Sequence, residues 1–400
     1  MVKETDIDQI VHRTIDQMNA LAVKEFRVPP CTYIGPGAIA RIGEALREMG
    51  IGRVFVMIDE IVEHLGLAAG MFRAFEIHGI EALVQQQSPG EPWSASVEES
   101  AKVLRTADAQ GVVAVGGGSA IDAAKATAVL AANPDYCVAD LVEPNKRWRR
   151  RLPFIAVPTT AGTGSEATNV SVITDSGNQH KRVIIHDDLV PDLALIDACL
   201  TLQVPPGFTA ITGIDALTHA IEAYVAANVT PLTKAVAYRA AHMVGNALPI
   251  AVGKGSDVEA REEMALASYM AGIAFSNAGL GLCHAMAHQI GPAYGLPHGL
   301  ANAIMLPSVM QFNSLVCKKS YAEIGLALSG TILSVEETIR HIQQLIVDIG
   351  LPGNLAAVGG KAEDFSAFAD KALLDVCLGS NPRTVSREQI IGVYQHACSR

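Results

Sequence analysis

Val112-Val113-Ala114-Val115-Gly116-Gly117-Gly118-Ser119-Ala120-Ile121-Asp122-Ala123-Ala124-Lys125 is the stretch on which the fold turns. Four small apolar residues read as a buried strand, the glycines as a tight turn, and the alanine-rich run from Ser119 as a helix. A strand that ends in glycines and opens a helix aims backbone N–H groups and the positive helix end at one point, where a phosphate can sit. Gly116, Gly117, Gly118 and Ser119 fit the start of G-x-G-x-x-G, but Ile121 stands where the third glycine belongs. The run alone therefore does not separate a dinucleotide loop from a plain tight turn.

Strand–helix alternation continues on both sides of this stretch. Residues 53–58, 81–84, 111–115 and 153–157 read as strands, with helices at 97–109 and from Ser119. Residues 170–173, 181–185 and 193–196 add strands, and Cys31-Thr32-Tyr33-Ile34 before Gly35-Pro36-Gly37 reads as an early strand and hairpin. Beyond about residue 198 the periods become helical, at 231–248, 258–276, 335–349 and 363–378. The expected fold is an α/β Rossmann-like N-terminal domain over 21–197, with a parallel sheet covered on both faces, then an all-α domain over 198–400. Ahead of them Ile7, Ile10, Val11, Ile15 and Met18 recur at helical spacing, which predicts an amphipathic helix within residues 1–20.

Composition narrows the function. Half of the 400 residues are hydrophobic and 18% are charged, which excludes a disordered chain. A net charge of −11 argues against a nucleic-acid surface, and the one basic run, Lys146-Arg147-Trp148-Arg149-Arg150-Arg151, reads as a solvated loop. Seven cysteines without a CxxC pair point to reduced thiols and a cytoplasmic setting. No apolar run approaches the roughly 18 residues of a bilayer span, and no signal peptide is visible, so no membrane partner is expected.

Two segments carry metal-type residues. In Gly279-Leu280-Gly281-Leu282-Cys283-His284-Ala285-Met286-Ala287-His288, followed by Gly295-Leu296-Pro297-His298-Gly299, three histidines interrupt an apolar setting where each imidazole needs a polar partner. Upstream, Asp215 and His219 are four apart, hence on one helix face. One carboxylate and three imidazoles close a cage for a divalent transition metal, which nominates Asp215, His219, His284 and His298 as ligands. Either segment alone is equally well read as an ordinary helix hydrogen bond. Iron, zinc, manganese and cobalt all suit the set.

On the nucleotide side, Pro158-Thr159-Thr160-Ala161-Gly162-Thr163-Gly164-Ser165-Glu166 has the composition of a second loop lining a phosphate or ribose. Asp59, at the end of strand 53–58, is placed to accept from a ribose 2′-hydroxyl and to repel a 2′-phosphate, which favours NAD over NADP.

These motifs are similar to those of the iron-containing (group III) alcohol dehydrogenases. The match runs through Gly116–Ser119 with Asp122 and Lys125, residues 158–166, Asp215 with His219, His284 with His288, Pro297-His298-Gly299 and Asn381-Pro382-Arg383. The resemblance implies a dehydroquinate synthase-like architecture, NAD(H) in the cleft, and Fe2+, with Zn2+ as the other candidate, on Asp215, His219, His284 and His298. It places Gly116, Gly117, Gly118, Ser119, Asp122, Thr159, Thr160 and Lys181 around the cofactor, and Phe275 and Cys377 in the substrate pocket. His288 is implied either as a proton relay or as a hydrogen-bonder that orients a ligand.

Within that family the chain resembles the alcohol dehydrogenases of ethanolamine-utilisation operons and bacterial microcompartments, through Val28-Pro29-Pro30, Gly90-Glu91-Pro92 and residues 270–276 and 281–289. This implies reduction of a short-chain aldehyde, acetaldehyde to ethanol or propionaldehyde to 1-propanol, with NAD regenerated for a partner aldehyde dehydrogenase. Residues 1–20 would then be a targeting peptide for a microcompartment shell, and the chain a homo-oligomer. The competing readings are a lactaldehyde or 1,2-diol oxidoreductase and a metal-dependent lyase of the dehydroquinate-synthase type. The lyase would want more Lys and Arg beside the metal than residues 270–300 supply.

Overall fold

The computed structural model describes residues 24–88, 90–143 and 146–399. The helix expected within residues 1–20 lies outside them.

The N-terminal half is a six-stranded sheet in the order β1-β8-β5-β4-β2-β3, every neighbouring pair parallel. Its strands are β1 (Cys31–Ile34), β2 (Arg53–Asp59), β3 (Glu81–Gln87), β4 (Gly111–Gly116), β5 (Phe154–Pro158) and β8 (Leu193–Ile196). Alternation along β2 sends Phe55 and Met57 to one face and Val54, Val56 and Ile58 to the other. On the first face they meet α4 (Ser94–Thr106) and α5 (Gly118–Ala132); on the second, α1 (Ile42–Glu48) and α3 (Ala69–His78). The short α2 (Glu60–His64) opens directly from β2. Helix cover therefore changes face between β2 and β4, and ligands of open α/β sheets bind at such a reversal.

Several expectations are corrected. β1 forms no hairpin: Gly35-Pro36-Gly37 leads into a 3-10 turn, and β1 lies parallel to β8 at the sheet edge. β6 (Val170–Thr174) and β7 (Lys181–Ile185) pair antiparallel as a separate two-stranded ribbon, because Asp175-Ser176-Gly177-Asn178 supplies a tight turn between them. The basic run is not wholly solvated. Arg151 is 5% exposed and donates to Asp192 at 2.5 Å and to the Leu152 carbonyl at 2.8 Å, fixing the entry to β5.

The C-terminal half contains helices α6 (Pro206–Val225), α7 (Pro231–Gly253), α8 (Val258–Ala278), α9 (Leu282–Tyr294), α10 (His298–Ser329), α11 (Val335–Asp348), α12 (Phe365–Ala372) and α13 (Arg387–Ser399) around one core. The segment expected as one helix over 363–378 breaks at Leu373 and resumes as a 3-10 turn over Val376–Ser380, capped by Asp375. α10 is the one described helix long and apolar enough to cross a membrane, contrary to the sequence expectation. Because 67% of its apolar window is buried, it packs as a core helix.

A small apolar cluster of Ala167, Ala194, Ile196, Ala265, Tyr269 and Ile273 joins the sheet to α8. Beside it the chains cross closely. A β-carbon on Gly164, whose φ is +61°, would stand 2.6 Å from Gly272 Cα.

Candidate metal centre

α6 starts on Pro206, whose missing N–H is no loss at a helix's first position. Asp215, His219 and Glu222 follow at i, i+4 and i+7 on one face. α9 presents His284 and His288 one turn apart, and α10 begins at His298 with Asn302 one turn on. Gly299 lets α10 press against α6, since a side chain there would overlap the Ile211 carbonyl oxygen.

The three helices bring one ligand atom each from Asp215, His219, His284 and His298 within 4.8 Å of one another. His219 Nε2 lies 4.0 Å and His298 Nε2 3.7 Å from the Asp215 oxygens. Each ring's far nitrogen is tied down where that matters: His219 Nδ1 donates to the Gly162 carbonyl at 3.2 Å, and His284 Nδ1 to Glu222 at 2.5 Å. Those bonds leave the lone pairs of both Nε2 atoms facing inward. Burial first, then the His219 and His288 imidazoles, holds His284 below the ordinary histidine range, so its ring is a neutral donor, whereas His298, 40% exposed, is the solvent-facing member of the set. Burial pushes the Asp215 carboxyl up, but the three imidazoles and Asn302 outweigh it and the group lies below its ordinary value.

Sequence reasoning assigned no role to Asn302, Glu222 or Asp375. Fully buried, Asn302 directs one amide nitrogen at Asp215 Oδ1 (2.8 Å), His284 Nε2 (3.1 Å) and His298 Nε2 (3.2 Å). Two N–H groups cannot satisfy three acceptors, so lone pairs exceed donors at this point. A buried surplus of lone pairs from N and O ligands fits a divalent cation. Glu222 also accepts from the Cys283 N–H at 2.7 Å, and burial raises its carboxyl to about 7. Its signal in the sequence was a third polar residue on the Asp215–His219 face. Asp375 accepts from His288 Nδ1 at 2.8 Å and gave no such signal, because it lies 87 residues from its partner.

The nucleotide candidates gather at the carboxyl ends of β2, β4 and β5. Gly116 is forced by its neighbours: a β-carbon would stand 2.7 Å from Ala120 Cβ and 2.9 Å from Asp59 Cβ. Gly117 precedes α5 without any side-chain cap, whereas Thr230, Asp257 and Ser334 cap α7, α8 and α11. The first N–H groups of α5, at Gly118 and Ser119, thus face the crevice with no side-chain acceptor, a cradle that fits a pyrophosphate. Thr159 bonds back to Gly116 O at 3.0 Å, and Thr160 lies against Gly117. Asp59 caps α2 through Oδ1, to Ile61 N at 2.8 Å, which leaves Oδ2 for a ribose.

Asp122 and Lys181 are held by the protein itself. Asp122 takes Ser165 Oγ at 2.5 Å and Val172 N at 2.9 Å, binding α5 to the ribbon, and Lys181 donates to Glu91 at 2.7 Å on the surface. Phe275 stacks on the His219 ring, with centroids 4.5 Å apart, and walls one side of the centre. Cys377 stands with His288 and Asp375 beside it.

Known proteins match on this frame. The family model for iron-containing alcohol dehydrogenase covers residues 29–198, and that for the C-terminal part of the Fe-containing alcohol dehydrogenase family covers 209–398. The chain is 48% identical over 394 residues to the probable alcohol dehydrogenase EutG of Salmonella typhimurium, spanning 98% of this chain and 100% of the relative. A solved 1,3-propanediol oxidoreductase superposes with a TM-score of 0.91 at 34% identity, over 94% of this chain and 100% of that one. A sulfoacetaldehyde reductase from Bifidobacterium kashiwanohense, in complex with NAD+, does so at 0.87 and 30%, over 94% and 99%. With both halves matched by family models and a relative matched end to end, the chain belongs to the iron-containing alcohol dehydrogenase family.

Proposed function

We propose that this enzyme reduces short-chain aldehydes to primary alcohols with NADH, at a ferrous centre held by Asp215, His219, His284 and His298. The observation that carries the reading is the four-donor set with its surplus of lone pairs beside the glycine loop's Gly162. Bound there, iron supplies Lewis acidity to the substrate oxygen, and NADH supplies the hydride.

The chain's own residues position, shield and pass a proton. Gly117, Gly118 and Ser119 seat the pyrophosphate on the α5 N-terminus, and Asp59 Oδ2 accepts from the ribose. Phe275 covers His219 and offers an apolar wall suited to a short alkyl chain. His288 holds its Nδ1 proton on Asp375, which leaves Nε2 to exchange a proton with the product oxygen or solvent.

Iron-reconstituted protein assayed for NADH oxidation with acetaldehyde, propionaldehyde, butyraldehyde and lactaldehyde tests this reading. The two-carbon and three-carbon unbranched aldehydes are expected to give the highest kcat/KM; a clear preference for lactaldehyde would move the assignment to a diol oxidoreductase.

The amphipathic period within residues 1–20 supports a place inside a bacterial microcompartment, where NAD would be regenerated for an aldehyde dehydrogenase. Residues 1–20 fused to a fluorescent protein should then form foci in shell-producing cells; a diffuse signal would refute targeting.

A further inference from the structure

A second donor set adjoins the first. His288 on α9 and Asp375 and Cys377 on the turn after α12 each bring a ligand atom within 4.8 Å of the other two. Asp375 accepts from His288 Nδ1 at 2.8 Å and from the Cys377 backbone N–H at 2.9 Å. Among the described residues, His288 is its one ion-pair partner. The set is partly open to solvent: 28% of the His288 side chain and 12% of the Asp375 side chain are exposed.

An imidazole nitrogen, a carboxylate oxygen and a cysteine sulfur form a donor mix that suits zinc, once the Cys377 thiol, held protonated by burial and the neighbouring Asp375 carboxylate, gives up its proton to the metal. The first set contains no sulfur; adding a thiolate favours softer cations over ferrous iron. We infer that His288, Asp375 and Cys377 form a second, weaker site for Zn2+ or a comparable soft cation, and that zinc held there blocks turnover. Capture releases one proton, from the Cys377 thiol, as the sulfur–metal bond forms; the cation takes the place of the Nδ1 proton between His288 and Asp375, and that proton passes to Nε2, so the ring stays neutral.

The His288 ring stacks on the His298 ring, with centroids 5.3 Å apart. A cation on His288 therefore stands against the first centre and withdraws the ring assigned to proton exchange. This consequence rests on the function proposed above; the binding itself does not.

The test uses the iron-loaded full-length protein. Titration with Cd2+ is expected to raise an ultraviolet thiolate-to-cadmium absorption band that saturates at one equivalent. The band should vanish in Cys377→Ser, and its midpoint should move up by at least about tenfold in Asp375→Asn. Asparagine still caps the following turn, so that variant removes a ligand and keeps the local fold. In parallel, Zn2+ is added to the NADH-oxidation assay and the iron retained after desalting is measured. Inhibition with iron retained, reversed by desalting and absent in Cys377→Ser relative to its own zinc-free rate, supports the site. No band, a band unchanged in Cys377→Ser, or inhibition that tracks iron loss overturns it. A saturating band in a protein that reduces no aldehyde would count against the proposed function and leave the cation site standing.

Discussion

Glu222 Oε2 receives the Nδ1 proton of His284 at 2.5 Å, with both side chains buried, and this bond decides which nitrogen of His284 faces the other three donors. Glu222→Ala is expected to weaken metal binding about 10- to 100-fold, and Glu222→Gln to recover part of the loss because its amide oxygen still accepts. Competition with a chromophoric chelator measures this. Equal affinities in all three proteins would show that the pair does nothing for the centre.

Removing one ligand should be more severe. His284→Ala is expected to lose both bound iron and turnover, and chelation of the unaltered protein to lower its melting temperature, since a cation bound only to the folded state adds stability by mass action. Metal analysis with calorimetry checks both. Full activity in a metal-free preparation would end the ferrous reading.

Gly164 and Gly272 meet where the loop after β5 crosses α8. Gly164→Ala adds a β-carbon 2.6 Å from Gly272 Cα at a φ of +61°, so left-handed strain and overpacking act together. The expected loss is about 2–4 kcal/mol, read by urea denaturation. Gly379→Ala, where a β-carbon meets nothing within 4 Å, is the control and should lose far less.

Glu166 provides a pH test away from the metal. Burial pushes its carboxyl up to about 7 from an ordinary 4.5, with Lys125 opposing, and its Oε2 has no hydrogen-bond partner. The folded protein therefore keeps a proton that the unfolded chain has already released between those two values. Its contribution to stability is complete below pH 4.5 and is lost as pH rises through 7. Glu166→Gln should remove this slope, worth roughly 3 kcal/mol at about 1.4 kcal/mol per unit. Parallel stability–pH profiles for the two proteins would contradict the assignment.

Asp59 sets cofactor choice if its free oxygen meets the ribose. Asp59→Asn keeps the cap on α2 but drops the charge, so NADPH use should rise relative to NADH by about tenfold, about 1.4 kcal/mol of repulsion removed. Paired kcat/KM values for the two cofactors measure it; an unchanged ratio would place the ribose elsewhere.

Much of this was legible in the chain. The strand–helix alternation around the apolar run 54–58 and the glycine break at 116–118 announced a parallel sheet, and the 215/219 and 284/288 spacings announced helix faces bearing polar residues that the fold brings together. What escaped detection depended on distance along the chain. Asp375 meets His288 across 87 residues, and Arg151 meets Asp192 across 41, so no local pattern could reveal either pairing. Asn302 hid for another reason: an amide in an apolar helix looks like an isolated polar substitution until three acceptors are seen around it.

The carbonyl of Gly162 belongs to the loop that follows β5, yet it fixes the tautomer of an imidazole on α6. With the dinucleotide seated on the loop and the ion on His219 as proposed, the two would share a mechanical element, and a displacement of that loop on nucleotide uptake would alter the basicity offered to the ion. By reciprocity the ion must change nucleotide affinity by the same factor. The order in which the two are loaded is then a thermodynamic cycle whose four edges can be measured independently and must close.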